Sequence, residues 1–286
     1  MSATSQQVSV ATDDVVEAAI NYVTPMKKRA KFHAQDASRD NLILKSHVMR
    51  IQNARTLATQ PSLDREGFAL ARQRTSVKDF RDREELSRVY LPELQRFLLE
   101  YLGAVRVTLL DGGGMVRYTE RSPHYKTGVN TRPARFPHVD FTDRTGPGLV
   151  DDVFGARQEV LAPGERIIGL NIWRVISDPP QDVPLAVCDS RSVARKDLIP
   201  ADGVYDVGDP ETWMELEAYV VAHNPAHRWA YFRDMQLDEV LLFRSYDSSP
   251  GWRAGVPHSA FDDPTCPADA PARLSVEARA IVVLTA

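Results

Sequence analysis

Three residues of this chain have types and spacing suited to holding a metal ion. One residue separates His138 from Asp140, and His258 lies near the C-terminal end, just ahead of the last apolar run. Because side chains alternate along a β-strand, a strand through His138 would point both candidate ligands to one face. A strand from the far end of the domain could bring His258 against them. Two imidazoles and a carboxylate arranged in this way are typical of non-haem iron(II) sites.

The His-x-Asp triplet is weak evidence by itself, because a chain of this composition is expected to contain such a triplet by chance about as often as not. The surrounding elements must therefore decide how it is interpreted. The alternative to a metal site is that His138 and His258 are hydrogen-bonded polar residues in strands.

Composition and charge restrict the class of protein. With 43% apolar and 26% charged residues, the chain can bury a large core and shows no compositional sign of disorder. A net charge of −4 and a pI near 6.0 give no basic stripe, so we expect no nucleic-acid partner. No apolar run is long enough to span a bilayer and the polar N-terminal segment lacks a secretory core, which predicts a cytoplasmic protein without a membrane partner.

The N-terminal part of the chain combines strand and helix signals. Leu42 to Gln52 alternates as a strand does, and Asp82 can cap a helix that Pro92 should kink or restart and that Gly103 ends. From about residue 135 onward the sequence consists of short apolar or alternating runs separated by Pro, Gly and Asp, a pattern typical of an all-β barrel or sandwich. Eight such runs fit a jelly-roll count: Phe136 to Phe141, Arg166 to Val175, Pro184 to Cys188, Met214 to Ala222, Trp229 to Phe232, Glu239 to Arg244, Gly255 to Ala260 and Leu274 to Leu284.

The predicted fold is therefore mainly β with flanking helices. We expect one domain over residues 1–286, since 286 residues are near the upper limit for one hydrophobic core. It consists of an N-terminal elaboration with helices over about 1–103 and a jelly-roll core, a cupin-like double-stranded β-helix, over about 104–286. The elaboration is compatible with a homodimer. Cys188 and Cys266 belong to no Cys-x-x-Cys pair and are interpreted as reduced thiols without a metal.

An ordered series of sequence blocks resembles one oxygenase family, the CmcJ-like and NvfI-like proteins that also carry the label gibberellin desaturase-like. The resemblance spans most of the chain, and its specificity lies in the order of the blocks. They are Phe136-Pro-His138-Val-Asp140, Asn171-Ile-Trp173-Arg174, Pro184-Leu-Ala-Val-Cys188-Asp189, Asn224-Pro-Ala-His227-Arg-Trp229, Asp238-Glu-Val-Leu-Leu-Phe243 and Val256-Pro-His258-Ser-Ala-Phe261.

The resemblance implies an Fe(II)- and 2-oxoglutarate-dependent oxygenase that uses O2 and acts on small specialised metabolites. Fe(II) would be bound by His138, Asp140 and His258, which match the family's ligand positions. One departure is visible at Asp111 to Arg117, where the chain is glycine-rich and lacks the histidine that relatives often place after the aspartate. The substrate contacts of that segment are therefore left open.

The distal carboxylate of 2-oxoglutarate needs a fixed cation, and arginine is favoured because its planar guanidinium can donate two parallel hydrogen bonds. Arg273, Ser275 and Arg279 have the same parity, so a strand over Arg273 to Leu284 would point them to one face. Arg273-Leu-Ser275 resembles the Arg-x-Ser element of many such oxygenases, and Arg279 is the alternative. A surface arginine paired with Glu277 or another acid is the competing interpretation for each.

Five further residues are candidates for the pocket. Asn171 and Trp173 share a face of the Arg166 to Val175 strand, although a buried core Trp is a common outcome for such a residue. Tyr118 and Arg121 lie in the polar segment before the triplet, where a loop could line the barrel mouth. His227 is interpreted as a structural or pocket-rim residue.

Two other functions use the same features. A zinc-dependent hydrolase or lyase could employ the same His/Asp/His site, since imidazole and carboxylate also suit zinc. A non-catalytic jelly roll could bind a metabolite without turnover. The sequence leaves open the substrate, which is a small specialised metabolite or an amino-acid-like molecule. It also leaves open the choice among hydroxylation, desaturation, oxidative cyclisation and peroxide formation.

Overall fold

The computed structural model describes residues 14–110, 114–126, 132–157, 161–206, 211, 214–252 and 254–285. Two sheets dominate it, of nine and six strands. The strands are β1 (Val15–Val23), β2 (Ala30–His33), β3 (Leu44–Asn53), β4 (Phe68–Arg72), β5 (Arg106–Leu109), β6 (Met115–Tyr118), β7 (His138–Val139), β8 (Glu165–Val175), β9 (Leu185–Cys188), β10 (Leu198–Tyr205), β11 (Met214–Val221), β12 (Trp229–Tyr231), β13 (Glu239–Asp247), β14 (His258–Ala260) and β15 (Leu274–Thr285). The helices are α1 (Arg83–Glu85), α2 (Leu91–Leu102) and α3 (Thr145–Arg157).

The nine-stranded sheet curls strongly. Its order is β1-β3-β12-β9-β14-β7-β11-β10-β2, and β1 packs against β11 although five strands lie between them in the sheet. The buried side chains of β1, such as Ile20, join those of β9, β11 and β12 in one apolar cluster that includes Val221 and Trp229. The N-terminal strands therefore cover one face of the sheet to which they belong.

The six-stranded sheet has the order β4-β13-β8-β15-β5, with β6 also paired to β15. Its outer face packs against the helical segment through Leu94 and Leu98, which join Ile172 and Leu242 in a large apolar cluster. Its inner face contributes Trp173 to a second cluster shared with strands of the larger sheet. The two sheets thus enclose the interior of a jelly-roll core, as the sequence predicts.

The helical segment follows its sequence signals closely. The Asp82 side chain accepts hydrogen bonds from the amides of Glu84 and Glu85, which caps α1. A π-helical turn over Leu86–Tyr90 then leads into α2, near whose start Pro92 is tolerated because the first amides of a helix need no intrahelical acceptor. Gly103 ends α2 with φ of 60°, in the left-handed region that glycine adopts readily.

Each of the eight predicted C-terminal runs contains a strand, but several elements have no clear sequence signal. The segment before residue 103 supplies β1 to β3 to the larger sheet and β4 to the smaller one. Pro200 and Gly203, residue types that are uncommon inside strands, both lie in β10. At Gly203 a side chain would collide with the Phe32 ring of the adjacent β2, so glycine permits this close pairing. The predicted loose terminus, Met1 to Ala11, lies outside the described residues.

Within the described part of the chain, no helix is both long and apolar enough to cross a membrane. Cys188 is a buried free thiol and Cys266 a partly exposed one. Burial raises the pKa of Cys188 to about 12.

Candidate metal centre and cosubstrate pocket

The structure brings His138, Asp140 and His258 together. Strands β7 and β14 pair antiparallel with the two histidines directly opposite each other, and Asp140 follows β7. The three candidate ligand atoms lie within 4.8 Å of one another, and Asp140 Oδ1 is 3.7 Å from His138 Nε2. Both histidines are buried. Of the described residues, only these three form such a His, Cys, Asp and Glu group.

Each imidazole is oriented by a carbonyl two residues earlier in the chain. His138 Nδ1 lies 3.1 Å from the Phe136 carbonyl, and His258 Nδ1 lies 3.2 Å from that of Val256. A carbonyl can only accept, so each Nδ1 carries the proton and each Nε2 keeps its lone pair for a metal. In both cases a proline, Pro137 or Pro257, stands between the carbonyl residue and the histidine. This X-Pro-His arrangement therefore occurs twice in the site.

The electrostatics suit a divalent cation. Burial and the neighbouring His138 lower the pKa of His258 to about 4, so its imidazole is neutral near pH 7. Burial acts to raise the pKa of Asp140, but the neighbouring Arg279, His258 and His138 hold it well below its usual value. Two imidazoles with Nε2 directed to the centre and one carboxylate fit Fe(II) and leave positions for further ligands, although zinc accepts the same donors.

The second oxygen of Asp140 is occupied by an amide. Asn171 Nδ2 on β8 donates to Asp140 Oδ2 at 2.5 Å, and the hydroxyl of Ser245 on β13 donates to Asn171 Oδ1. Trp173, two residues along the same strand, lines the cavity beside the histidines. Asn171 and Trp173 thus share the interior face, with Asn171 directed to a candidate ligand and Trp173 to the cavity wall.

Arg273 reaches this cavity from the start of β15. It is 1% exposed, and its Nη1 donates to Ser275 Oγ at 3.1 Å. Its Nε and Nη2 have no hydrogen-bond partner among the described residues, and its guanidinium lies 5.4 Å from the Trp173 ring. Burial and the nearby Arg117 lower its pKa to about 9, which leaves it charged at pH 7. Unpartnered buried donors beside the candidate ligands fit the distal carboxylate of 2-oxoglutarate.

Arg279 lies on the same face, four residues beyond Ser275, and pairs in register with Asn171. Its charge lowers the pKa of Asp140 and also that of Glu277. Arg273 and Arg279 are both buried, so neither is a surface arginine in an edge-strand ion pair.

Glu277 does form an ion pair, but with a residue that the sequence did not single out. Arg117 on β6 contacts both of its carboxylate oxygens, at 2.8 and 2.5 Å, and both residues line the cavity. Strand alternation turns the neighbouring Tyr118 to the opposite face, where it is buried. Recognising β6 as a strand would have selected Arg117 instead of Tyr118.

Two other predicted pocket residues lie elsewhere. Arg121 donates to Asp182 and to two backbone carbonyls, and so holds neighbouring loops together. His227 is hydrogen-bonded to the Tyr22 hydroxyl and to Asp197 and lies outside the cavity of the histidines. It borders a separate open groove of about 1070 Å³, whose lining includes none of the three candidate metal ligands.

Comparisons with known proteins agree with this geometry. Residues 20–283 match the family described as an oxidoreductase/YMDC permease-like domain. The alpha-ketoglutarate-dependent dioxygenase phiK of Fungal sp. (strain ATCC 74256) is 30% identical over 283 residues, covering 96% of this chain and 98% of phiK. The Fe(II)/2-oxoglutarate-dependent dioxygenase nvfI of Aspergillus novofumigatus is 28% identical, covering 82% of this chain and 83% of nvfI.

The hydroxylase/desaturase efuI of Hormonema carpetanum is 31% identical, over 77% of this chain and 78% of efuI. Among solved structures, the iron and alpha-ketoglutarate-dependent endoperoxidase NvfI superposes with a TM-score of 0.76 at 22% identity, over 96% of this chain and 99% of NvfI. That likeness confirms the jelly-roll fold. The matches to phiK and efuI together with the metal-ligand geometry show that the chain belongs to the NvfI-like family of Fe(II)- and 2-oxoglutarate-dependent oxygenases.

Proposed function

We propose that this single-domain oxygenase binds Fe(II) through His138, Asp140 and His258 and anchors 2-oxoglutarate on Arg273 and Ser275. One observation carries the proposal. The two histidines of the His-Asp-His group and a buried guanidinium with two unpartnered N–H groups line the same narrow cavity. A dianionic cosubstrate that bridges them would satisfy both the open metal positions and the buried cation.

Fe(II) supplies the redox chemistry that couples decarboxylation of 2-oxoglutarate to oxidation of a substrate C–H bond by O2. The residues of this chain supply orientation and charge. The Phe136 and Val256 carbonyls fix the imidazoles, and Asn171 holds one oxygen of Asp140. Arg273 directs the distal carboxylate, while Trp173 forms an apolar wall that excludes water.

We infer that the substrate is a small specialised metabolite. The relatives are named dioxygenase, hydroxylase/desaturase and endoperoxidase, and one is the aspirochlorine biosynthesis protein N of Aspergillus oryzae. The metal cavity has an apolar lining apart from the groups assigned to metal and cosubstrate and the Arg117–Glu277 pair. Such a lining suits a hydrocarbon portion of the substrate, which is where C–H oxidation takes place.

Anaerobic titration tests the assignment. Apoprotein given Fe(II) and then 2-oxoglutarate should develop a weak visible charge-transfer band, and His138→Ala and Asp140→Ala should abolish it. On admission of O2 the wild type should form succinate. His227→Ala is the control, because that histidine lies outside the cavity and should leave the band intact. Stoichiometric zinc binding with neither band nor succinate would instead support the zinc hydrolase or lyase.

A further inference from the structure

The two oxygens of Asp140 have different neighbours. Oδ1 faces His138, whereas Oδ2 accepts from Asn171 Nδ2 at 2.5 Å. A carboxylate can bind a metal through one oxygen or through both, and the second mode takes up an additional coordination position. The contact with Asn171 therefore bears on how many positions the metal keeps for cosubstrate and O2.

The oxygen end of the Asn171 amide is also held by a hydrogen bond. Its Oδ1 accepts from the Ser245 hydroxyl, which leaves Nδ2 facing Asp140. A flipped amide would place its oxygen against the carboxylate oxygen and lose the hydrogen bond to Asp140, because an ionised carboxylate can only accept. Asn171 and Ser245 are 4% and 3% exposed, so water cannot readily replace either contact.

The backbone also favours this arrangement. The register of β13 against β8 shifts between Arg244 and Tyr246, which makes a β-bulge centred on Ser245. Bulges redirect side chains and are frequent beside active sites. Asn171 pairs in register with Phe243, so the bulge sets the Ser245 hydroxyl next to the Asn171 amide.

We infer that Ser245 and Asn171 act as a positioning relay that limits Asp140 to coordination through Oδ1 alone. The inference rests on the proposed iron site. With three protein donor atoms, a six-coordinate metal keeps three positions, enough for a chelating 2-oxo acid and O2. Coordination through both oxygens would remove one of them. Ser245 acts only through Asn171, because its hydroxyl contacts the amide and not the carboxylate.

Co(II) binding to the apoprotein tests the relay without turnover. Asn171→Ala should weaken Co(II) binding about 10- to 100-fold, the range typical for loss of a group that orients a metal ligand. It should also lower 2-oxoglutarate affinity for the Co(II) form and change the visible Co(II) spectrum, which reports coordination number. Ser245→Ala should show a smaller loss. The double variant should bind Co(II) as Asn171→Ala does, because the hydroxyl has no effect once the amide is gone.

Asn53→Ala is the matched control, since Asn53 is 5% exposed and lies on β3. It should lose stability but bind Co(II) as the wild type does. Asn171→Leu keeps a similar side-chain volume without the donor and should bind Co(II) more weakly too, so it serves if Asn171→Ala does not fold.

Binding by a folded Asn171 variant within twofold of the wild type would overturn the relay and leave the proposed function intact. An equal loss of affinity in Asn53→Ala would also overturn it, because the effect would then be global. Failure of the wild type to bind Co(II), or unaltered binding by His138→Ala, would refute the iron site itself.

Discussion

Replacing Arg273 by Met should make the protein more stable while removing its response to 2-oxoglutarate. Arg273 is completely enclosed, and two of its N–H groups lack partners among the described residues. Each unpartnered buried donor costs about 1–3 kcal/mol. The lowering of its pKa from 12.5 to about 9 corresponds to a cost of about 5 kcal/mol for keeping the charge in this position. That cost agrees with the sum for the two unpartnered donors.

Two favourable contacts offset part of that cost. The hydrogen bond to Ser275 contributes about 1 kcal/mol and the contact with the Trp173 ring about 1 kcal/mol. Methionine would retain most of the apolar packing without the charge. We therefore expect Arg273→Met to raise the free energy of unfolding by about 2 kcal/mol, consistent with the effect of replacing buried charges by apolar residues.

Urea unfolding of the apoprotein and of the Co(II) form measures both effects. At 2-oxoglutarate concentrations 100 times the dissociation constant, the wild-type Co(II) form should gain about 2.7 kcal/mol, and the variant should gain almost nothing at the same concentration. Arg174→Met is the matched control. Arg174 is equally buried, but its guanidinium donates to Tyr90, Gln73 and the Leu237 carbonyl.

That control variant should therefore be destabilised, by about 3 kcal/mol or more. If Arg273→Met were destabilised to the same degree, the guanidinium would be a structural group and the cost assigned to its unpartnered donors would be wrong. If it still gained 2.7 kcal/mol from 2-oxoglutarate, the anchor would have to be another residue, with Arg279 the first alternative.

Three other predictions concern the interior. Arg117→Met should lower the free energy of unfolding by about 1–3 kcal/mol, because it leaves the half-buried Glu277 without its bidentate partner. Recovery in the double variant Arg117→Met/Glu277→Gln, measured in urea, would confirm the cause. The raised pKa of Cys188 means that the thiol ionises at lower pH in the unfolded state than in the folded state, so its contribution to stability falls as pH rises from about 9 towards 12. The difference in free energy of unfolding between wild type and Cys188→Ala should therefore change by about 1 kcal/mol between pH 9 and 10. A difference that stays constant over this range would contradict the prediction. Gly255→Ala should lower the thermal unfolding midpoint, because the added methyl group would overlap Val139 and the Ser245 carbonyl at a cost of about 1–3 kcal/mol. An unchanged midpoint would show that the backbone around residue 255 moves to accommodate the methyl group.

The sequence predicts the chemistry of the centre better than its surroundings. His138 and Asp140 are close in the chain, so strand periodicity alone relates them, and His258 lies in an ordered block. Glu277 and Arg117 form their pair across two strands 160 residues apart, which no local pattern reveals. The four-residue β6 gave no strand signal, and that single omission drew attention to Tyr118 in place of Arg117.

Long-range packing also explains the other differences. The role of a single polar residue such as His227 cannot be read from the sequence around it. His227 is hydrogen-bonded to Tyr22, 205 residues away, and to Asp197, 30 residues away, so it stabilises the fold and does not line the cavity. Asn171 was predicted on the correct strand face. That face alone could not show that it meets Asp140, or that Ser245 lies behind it, since both partners come from other elements.

In each of the two X-Pro-His segments, the orientation of the metal-facing imidazole is determined within three consecutive residues. The carbonyl that fixes each ring belongs to the same tripeptide, and the carbonyls of Pro137 and Pro257 accept from the Val221 and Cys188 amides of adjacent strands. Ring orientation therefore requires no side chain from a loop. Loops at the cavity mouth can be exchanged to alter substrate choice while these tripeptides and their strands are kept, which makes this site a practical starting point for loop grafting.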